Sequence, residues 1–135
     1  MKERIASATL LVRDYDEAIR YFTTALGFEL LEDARLGDGK RWVTVAPAGS
    51  TGMSLLLARA STPNQDACVG NQTGGRVGFF LHTEDFDRTY ETMQARGVRF
   101  LEKPRTEGYG TVVVFEDLYG NRWDLLEHDG EPSIQ

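Results

Sequence analysis

One stretch of the sequence occurs twice in related form, and this internal repeat limits the folds open to the chain more than any other feature. The segment VRDYDEAIRYFTTALGFEL begins at Val12, and TEDFDRTYETMQARGVRF begins at Thr83. Both contain an aromatic residue between two aspartates near their start and a glycine followed by an apolar residue near their end. Because self-similarity of this kind is typical of a duplicated structural unit, the sequence predicts two copies of one module.

Each copy carries the signals of one helix. In the first copy Asp14 is a suitable N-cap, Glu17 lies three residues further on, and Gly27 is placed to end the helix. The second copy has Asp85 and Gly97 in the matching places. Apolar residues recur at helical spacing in both copies. These stripes consist of Tyr15, Ile19, Phe22 and Leu26 in the first copy, and of Phe86, Tyr90 and Met93 in the second.

A β-prone run precedes each helix, and three more follow it. In the first copy the runs are IASATLLV, 28–31, 41–46 and 53–58, and in the second they are GRVGFFLHT, 98–101, 111–115 and 122–127. The segment LGDGK is a hairpin signal between the second and third runs of the first copy. The predicted fold class is therefore α+β, with two tandem beta-alpha-beta-beta-beta modules. A sheet with a helix on one face leaves the other face bare, so the modules either cover each other or curl into a cup.

The repeat also sets the predicted domain boundaries. Residues 1–60 form the first module and residues 76–128 the second. The segment 61–75, STPNQDACVGNQTGG, is polar and rich in glycine, which is typical of a linker. Residues 129–135 are predicted to be a C-terminal tail.

Charge and composition restrict the partners of the chain. Its net charge of -6 disfavours a nucleic acid, because phosphate binding depends on Lys and Arg. No apolar run approaches the ~20 residues that a membrane helix needs, and the charged N-terminus is a poor signal peptide, so we expect a soluble cytoplasmic protein. With Cys68 as the one cysteine, an intramolecular disulfide and a thiolate-cluster zinc site are both excluded.

The order and spacing of these motifs resemble those of the vicinal oxygen chelate superfamily, the group of glyoxalases, bleomycin-resistance proteins and extradiol dioxygenases. The resemblance rests on the paired helix motifs and on DLYGNRWDL at 117–125, and it covers roughly residues 5–128. One departure is Leu118, where the family usually has proline. The resemblance implies a cup-shaped site made by both modules, a homodimer, and often a divalent metal held by the first and last strands of each module.

The repeat shows which residues occupy those metal-binding positions here. They are Ser7 and Leu56 in the first module and Gly78 and Asp124 in the second. Leu56 and Gly78 have no side-chain donor, Ser7 is a neutral hydroxyl, and one carboxylate alone binds a divalent ion weakly. The sequence therefore predicts that no metal and no other cofactor is bound.

Two histidines are the nearest substitutes for the missing ligands. His82 lies four residues beyond Gly78, and His128 lies four residues beyond Asp124. Four residues of strand span about 13 Å, so both histidines are predicted to lie at the rim of the cup.

Strand alternation gives the candidate ligand-binding residues. They are Ser7, Thr9, Trp42, Thr44, Ser54, Leu56, Phe80, His82, Tyr109, Arg122 and Asp124. Tyr109 lies in the glycine-flanked loop EGYG, where it can move over the opening of the cup. Trp42 and Phe80 are alternatively core residues between the modules, and Arg122 and Asp124 alternatively form an ion pair with no further role. Asp124 is the candidate catalytic residue, because a buried carboxylate with a raised pKa can act as a general acid or base.

Three functions are left open by these residues. The first is a metal-free protein that binds a small, aromatic or cationic compound, as a resistance protein does. The second is a lyase, isomerase or dioxygenase of the same superfamily that uses a metal or Asp124. The third is a structural or regulatory dimer without a ligand.

Overall fold

The computed structural model describes residues 1–128 and divides after Gln72 into two compact units. The first unit contains β1 (Ser7–Val12), α1 (Tyr15–Thr24), β2 (Phe28–Gly37), β3 (Lys40–Pro47), β4 (Ser54–Arg59) and α2 (Pro63–Cys68). The second contains β5 (Val77–His82), α3 (Phe86–Ala95), β6 (Arg99–Phe100), β7 (Arg105–Glu107), β8 (Gly110–Glu116) and β9 (Arg122–His128). The tail predicted for residues 129–135 lies outside the described residues. No helix within 1–128 has the length and apolar character needed to cross a membrane.

The sheet of the first unit has the strand order β1-β4-β3-β2 and is covered on one face by α1. β1 and β4 are parallel, and the other neighbours are antiparallel. The carboxylate of Asp14 accepts a hydrogen bond from the Glu17 N–H at 2.8 Å, which satisfies one free donor of the first helical turn. Phe22 is fully buried and packs on Phe28, with 5.6 Å between ring centroids.

The sheet of the second unit has the order β5-β9-β8-β6, and β7 pairs with β8. A continuous series of ring contacts runs from α3 across the sheet. Its members are Phe86, Tyr90, Phe100, Phe115, Trp123 and Phe79, with neighbouring centroids 4.7–5.9 Å apart. Packing of aromatic edges and faces at these distances adds to simple area burial, so this series forms part of the core of the unit. The prediction of two beta-alpha-beta-beta-beta modules is confirmed.

Strand β2 is longer than the sequence predicted. It was expected to end at Leu31, but it continues to Gly37 through the charged stretch EDAR. The predicted LGDGK hairpin is the reason, because Asp38 and Gly39 form its turn with positive φ angles of 53° and 77°. Such a turn matches the twist of the two strands and holds them in register.

The segment 61–75, predicted as a linker, contains helix α2. Thr62 caps this helix by accepting a hydrogen bond from the Gln65 N–H, and Pro63 occupies its first position. Beyond α2, the side chain of Gln72 bonds the free edge of β1: it accepts from the Leu11 N–H at 2.9 Å and donates to the Thr9 carbonyl at 2.6 Å. This contact fixes the end of the segment to the first unit.

Strand β7, which no sequence pattern predicts, makes a hairpin with β8 around Gly108 and Tyr109. Glu107 pairs with Gly110 across that turn, and Gly110 also pairs with His128 of β9. A Cβ atom at position 110 would lie 1.9 Å from the Glu127 carbonyl oxygen, and the φ of Gly110 is +142°. Only glycine fits this close approach of the two strands.

We therefore expect Gly110→Ala to lower the free energy of unfolding by about 2 kcal/mol, because the strands must separate locally and the backbone is strained. Gly108→Ala is the matched control, because a Cβ there meets no atom within 4 Å. Urea unfolding of both variants checks the prediction. Equal stabilities would contradict the backbone contact at position 110.

Candidate functional site

Each sheet has one face turned away from its own helix, which we call its distal face. In the first unit Arg41, Arg59 and Phe28 contact α1, so residues one position away along their strands point to the distal face. The first-unit candidates on that face are Ser7, Thr9, Trp42, Thr44, Ser54 and Leu56. Strand register pairs Leu56 with both Thr9 and Thr44, and Ser7 with Ser54.

A carboxylate that sequence reasoning missed organises this distal face. Glu32 Oε1 accepts hydrogen bonds from Trp42 Nε1 and from Thr44 Oγ1, both at 3.1 Å. The indole ring of Trp42 is thereby oriented while 39% of the residue stays exposed. Glu32 lies beyond the predicted end of β2, so only correct prediction of the long hairpin would have placed it beside Trp42.

In the second unit the ring contacts place Phe79 and Trp123 toward α3, so their strand neighbours lie on the distal face. Phe80, His82, Arg122 and Asp124 are the candidates found there. Phe80 of β5 pairs directly with Asp124 of β9, and it is 66% exposed. The pair thus presents an aromatic surface beside an acidic group on one sheet face.

Asp124 is the most unusual group on this face. Its Oδ1 atom is buried and has no hydrogen-bond partner within residues 1–128. Burial raises the pKa of this carboxyl above its ordinary value, the positive charge of Arg105 lowers it, and the negative charge of Glu102 raises it further. Because an unpaired buried oxygen destabilises a protein by about 1–3 kcal/mol, the position of Asp124 calls for an explanation outside folding.

The neighbouring charges do not supply that missing partner. Glu102 Oε2 accepts from the Val114 N–H at 3.1 Å and from Arg105 Nε at 3.0 Å, and Arg105 also pairs with Glu107. Arg122 is exposed and forms no ion pair with Asp124 in the described part of the chain. The alternative in which these two residues merely neutralise each other is therefore wrong.

The two histidines of the second unit lie together. The rings of His82 and His128 have centroids 5.3 Å apart, a pairing that no sequence pattern predicts. Tyr109 lies in the two-residue turn between β7 and β8 and is 46% exposed. Its predicted movement over a ligand stays a prediction.

The four family metal positions do not offer a fitting donor set. Leu56 and Gly78 contribute no side-chain donor, which leaves the hydroxyl of Ser7 and the carboxylate of Asp124. At Gly78 the β5–β9 register is interrupted, and a Cβ there would lie 2.7 Å from the methyl group of Thr73. Within residues 1–128 no three His, Cys, Asp or Glu side chains are grouped to hold an ion. These residues do not match the several nitrogen or oxygen ligands that a divalent ion requires.

The turn before β9 is built around a buried carboxylate, Asp117. It accepts hydrogen bonds from the backbone N–H groups of Tyr119, Gly120 and Asn121 and from the side chains of Asn121 and Trp123, at 3.0–3.4 Å. Burial raises the pKa of Asp117, whereas the bonds from Trp123 and Asn121 lower it. Since Trp123 directly precedes Asp124, this network fixes the register of the strand that carries the candidate site.

A family model described as Glyoxalase/Bleomycin resistance protein/Dioxygenase superfamily matches residues 4–125. A protein of Shewanella frigidimarina (strain NCIMB 400) is 54% identical over 134 residues, which is 98% of this chain and 99% of that protein. The crystal structure of UcmS2 is similar with a TM-score of 0.81 and 30% identity over 93% of this chain and 98% of its own. TnmS3, an antibiotic binding protein from Streptomyces sp. CB03234, has a TM-score of 0.78 and 28% identity over 95% of this chain and 98% of its own.

Proposed function

Because the chain belongs to the Glyoxalase/Bleomycin resistance protein/Dioxygenase superfamily, we propose that it binds a small organic molecule without a metal ion. The observation that carries this proposal is the buried, unpartnered Oδ1 of Asp124 on the distal face of the second sheet. A ligand group that donates a hydrogen bond to this oxygen removes the cost of leaving it unpaired. The similarity to an antibiotic binding protein supports the same class of function.

The residues beside Asp124 favour a planar aromatic ligand with a positive charge. The ring of Phe80 is exposed and adjacent in register, so it can stack on an aromatic system. An ionised Asp124 attracts a cationic donor more strongly than a neutral one, because charge-assisted hydrogen bonds are about twice as strong. A ligand amine or ring N–H is the group that best fits the oxygen.

The binding test uses proflavine, a planar aromatic cation, and acridone, a neutral tricyclic ring system. We expect saturable binding of proflavine by fluorescence anisotropy, at least about tenfold tighter than that of acridone, a difference of about 1.4 kcal/mol. Chelator is expected to leave the affinity unchanged, and mass spectrometry is expected to recover proflavine intact. Equal affinity for the two compounds, or loss of binding in chelator, would contradict the proposal.

A second candidate function is acid–base catalysis by Asp124 in a lyase, isomerase or related enzyme of the superfamily. The raised pKa of Asp124 favours it, because a carboxyl that holds its proton more tightly is a better general acid. This function predicts turnover of a bound compound, with a pH–rate profile that loses one limb in Asp124→Asn. Binding without any product separates the first function from this one.

The homodimer implied by the family resemblance belongs to the proposal as well. Light scattering coupled to size-exclusion chromatography measures the mass in solution, and a dimer of this chain has twice its 15.1 kDa.

A further inference from the structure

A second candidate site lies in the first unit, in a groove of about 350 Å³ where strands β3 and β4 separate. The two strands pair only between Val43 and Val45 on one side and Leu55 and Leu57 on the other. Continuing that register would place Arg41 opposite Arg59. Like charges directly opposite each other destabilise a strand pair, and the groove, which we call the splay groove, opens at this point.

Both guanidinium groups lie over the ring of Tyr15. The central carbons of the Arg41 and Arg59 guanidinium groups lie 5.2 Å and 5.6 Å from its centroid, within the range of cation–π attraction. Arg59 Nη2 is also 3.1 Å from the place that a Cβ at Gly39 would take. Arg59 is an exposed residue whose guanidinium lies close to the Tyr15 ring and to Gly39.

The two arginines differ in how their charge is compensated. Arg41 bonds Asp33 through Nε and Nη2 and Asp16 through Nη1, at 2.8–3.1 Å. Neither Arg59 nor Lys40 forms an ion pair with any carboxylate of residues 1–128. Asp38 is the one acidic residue among those lining the groove. The lining of the splay groove thus contains three basic residues and one acidic residue, in a chain of net charge -6.

The groove also has an aromatic and aliphatic wall. Trp42, held by Glu32, and Leu36 and Leu56 line it. Arg59 lies on the α1 face of the sheet and Trp42 on its distal face, and both line the groove where the strands part. A guanidinium and an indole in one groove suit a flat ligand whose one end is negatively charged, since arginine binds a carboxylate through two parallel hydrogen bonds.

We propose that the splay groove binds an aromatic organic anion, with Arg59 pairing with the carboxylate and Trp42 stacking on the ring. Lys40 adds a second, flexible cation at the same groove. The site differs from the Asp124 site in unit, in charge and in ligand class, so it goes beyond the function proposed above.

The test compares 4-nitrobenzoate with 4-nitrobenzamide, which has a similar shape but no charge. Both nitro compounds quench indole fluorescence, and Trp42 is the exposed tryptophan, whereas Trp123 is 3% exposed. We expect saturable quenching by 4-nitrobenzoate with at least tenfold tighter binding than 4-nitrobenzamide. Trp42→Phe is expected to remove the saturable signal, and raising the ionic strength is expected to weaken binding of the anion alone.

Arg59→Gln is the decisive variant, and we expect it to abolish the preference for the anion. Arg59→Lys is expected to keep part of it, because lysine retains the charge but not the bidentate geometry. Equal binding of the two probes by the unchanged protein, or an anion preference that survives Arg59→Gln, would overturn the proposal. If Arg59→Gln does not fold, the two probes and the salt dependence of the unchanged protein decide alone. Proflavine binding is expected to be unaffected by Arg59→Gln, so failure at the splay groove and failure at Asp124 are distinguishable.

Discussion

Replacement of Asp117 by alanine is expected to lower the free energy of unfolding by roughly 3–5 kcal/mol. The carboxylate is 6% exposed and accepts bonds from three backbone N–H groups and two side chains. Its removal takes the Asp117 acceptor away from the buried indole N–H of Trp123 and from the N–H groups of Asn121, and breaking a buried charged network costs this much. The midpoint of thermal unfolding should fall by roughly 10–20 °C.

Two further variants separate this network from a general effect of losing an acidic side chain. Asp117→Asn keeps the shape but presents an NH₂ group to several donors, so we expect a loss of stability between that of alanine and zero. Glu84→Ala is the surface control, because Glu84 is exposed and has no hydrogen bond or ion pair in the described chain. A loss below about 1 kcal/mol for Asp117→Ala would show that the turn forms without its carboxylate.

The sequence predicted the two modules well because their signals are local and occur twice. Asp14 and Asp85 both accept a hydrogen bond from the N–H three residues on, and Phe22 and Met93 of the two apolar stripes are both buried. Local capping and helical periodicity need no knowledge of distant contacts. Because the two copies align, each element predicted in one copy is also predicted in the other.

Elements that depend on partner strands were harder to predict. The stretch EDAR in β2 is charged and shows no alternation of apolar and polar residues. It is nevertheless a strand, because the turn at Asp38 and Gly39 pairs it with β3. Strand β7 is three residues long and exists through its pairing with β8. Neither hydrophobic pattern nor propensity marks a strand whose stability comes from a neighbour.

In the candidate sites too, residues marked by local patterns were predicted and residues that depend on distant contacts were not. Alternation along β5 and β9 was enough to bring Phe80 and Asp124 into one prediction, and the structure pairs them in register. Glu32 and Arg59 were missed because their roles depend on contacts with other elements, Trp42 of β3 for one and Tyr15 of α1 for the other. Their binding roles, like those of the candidates predicted from the sequence, stay proposals.

The second large effect is expected at Asp124, where stability and binding should change in opposite directions. Asp124→Leu introduces the residue that the first copy of the repeat has at the matching position, Leu56. Removal of an unpaired buried oxygen is expected to raise the free energy of unfolding by about 1–3 kcal/mol. Proflavine binding is expected to weaken by roughly 100-fold, about 2.7 kcal/mol, because the charged acceptor is lost.

The pH dependence of stability and of proflavine affinity is an independent test of the role of Asp124. The folded-state pKa of Asp124 is raised, so the folded protein holds this proton more tightly than the unfolded chain does. The contribution of Asp124 to stability is therefore fully present below the unfolded pKa, about 3.9, and is lost as the pH rises through the folded pKa. Asp124→Asn does not titrate at this position. Relative to that variant, the unchanged protein should lose stability as the pH rises from the unfolded pKa through the folded pKa of Asp124. Its affinity for proflavine should rise over the same pH range, because the carboxylate becomes charged.

Denaturant unfolding and fluorescence anisotropy, both measured across that pH range, test this pair of trends. A protein in which Asp124 served folding alone would lose stability in Asp124→Leu, and a bystander would change neither quantity. An oxygen kept buried and unpaired for a ligand is the arrangement in which the leucine variant is more stable and binds less. Loss of stability together with unchanged proflavine affinity would exclude Asp124 as the anchor of a bound cation.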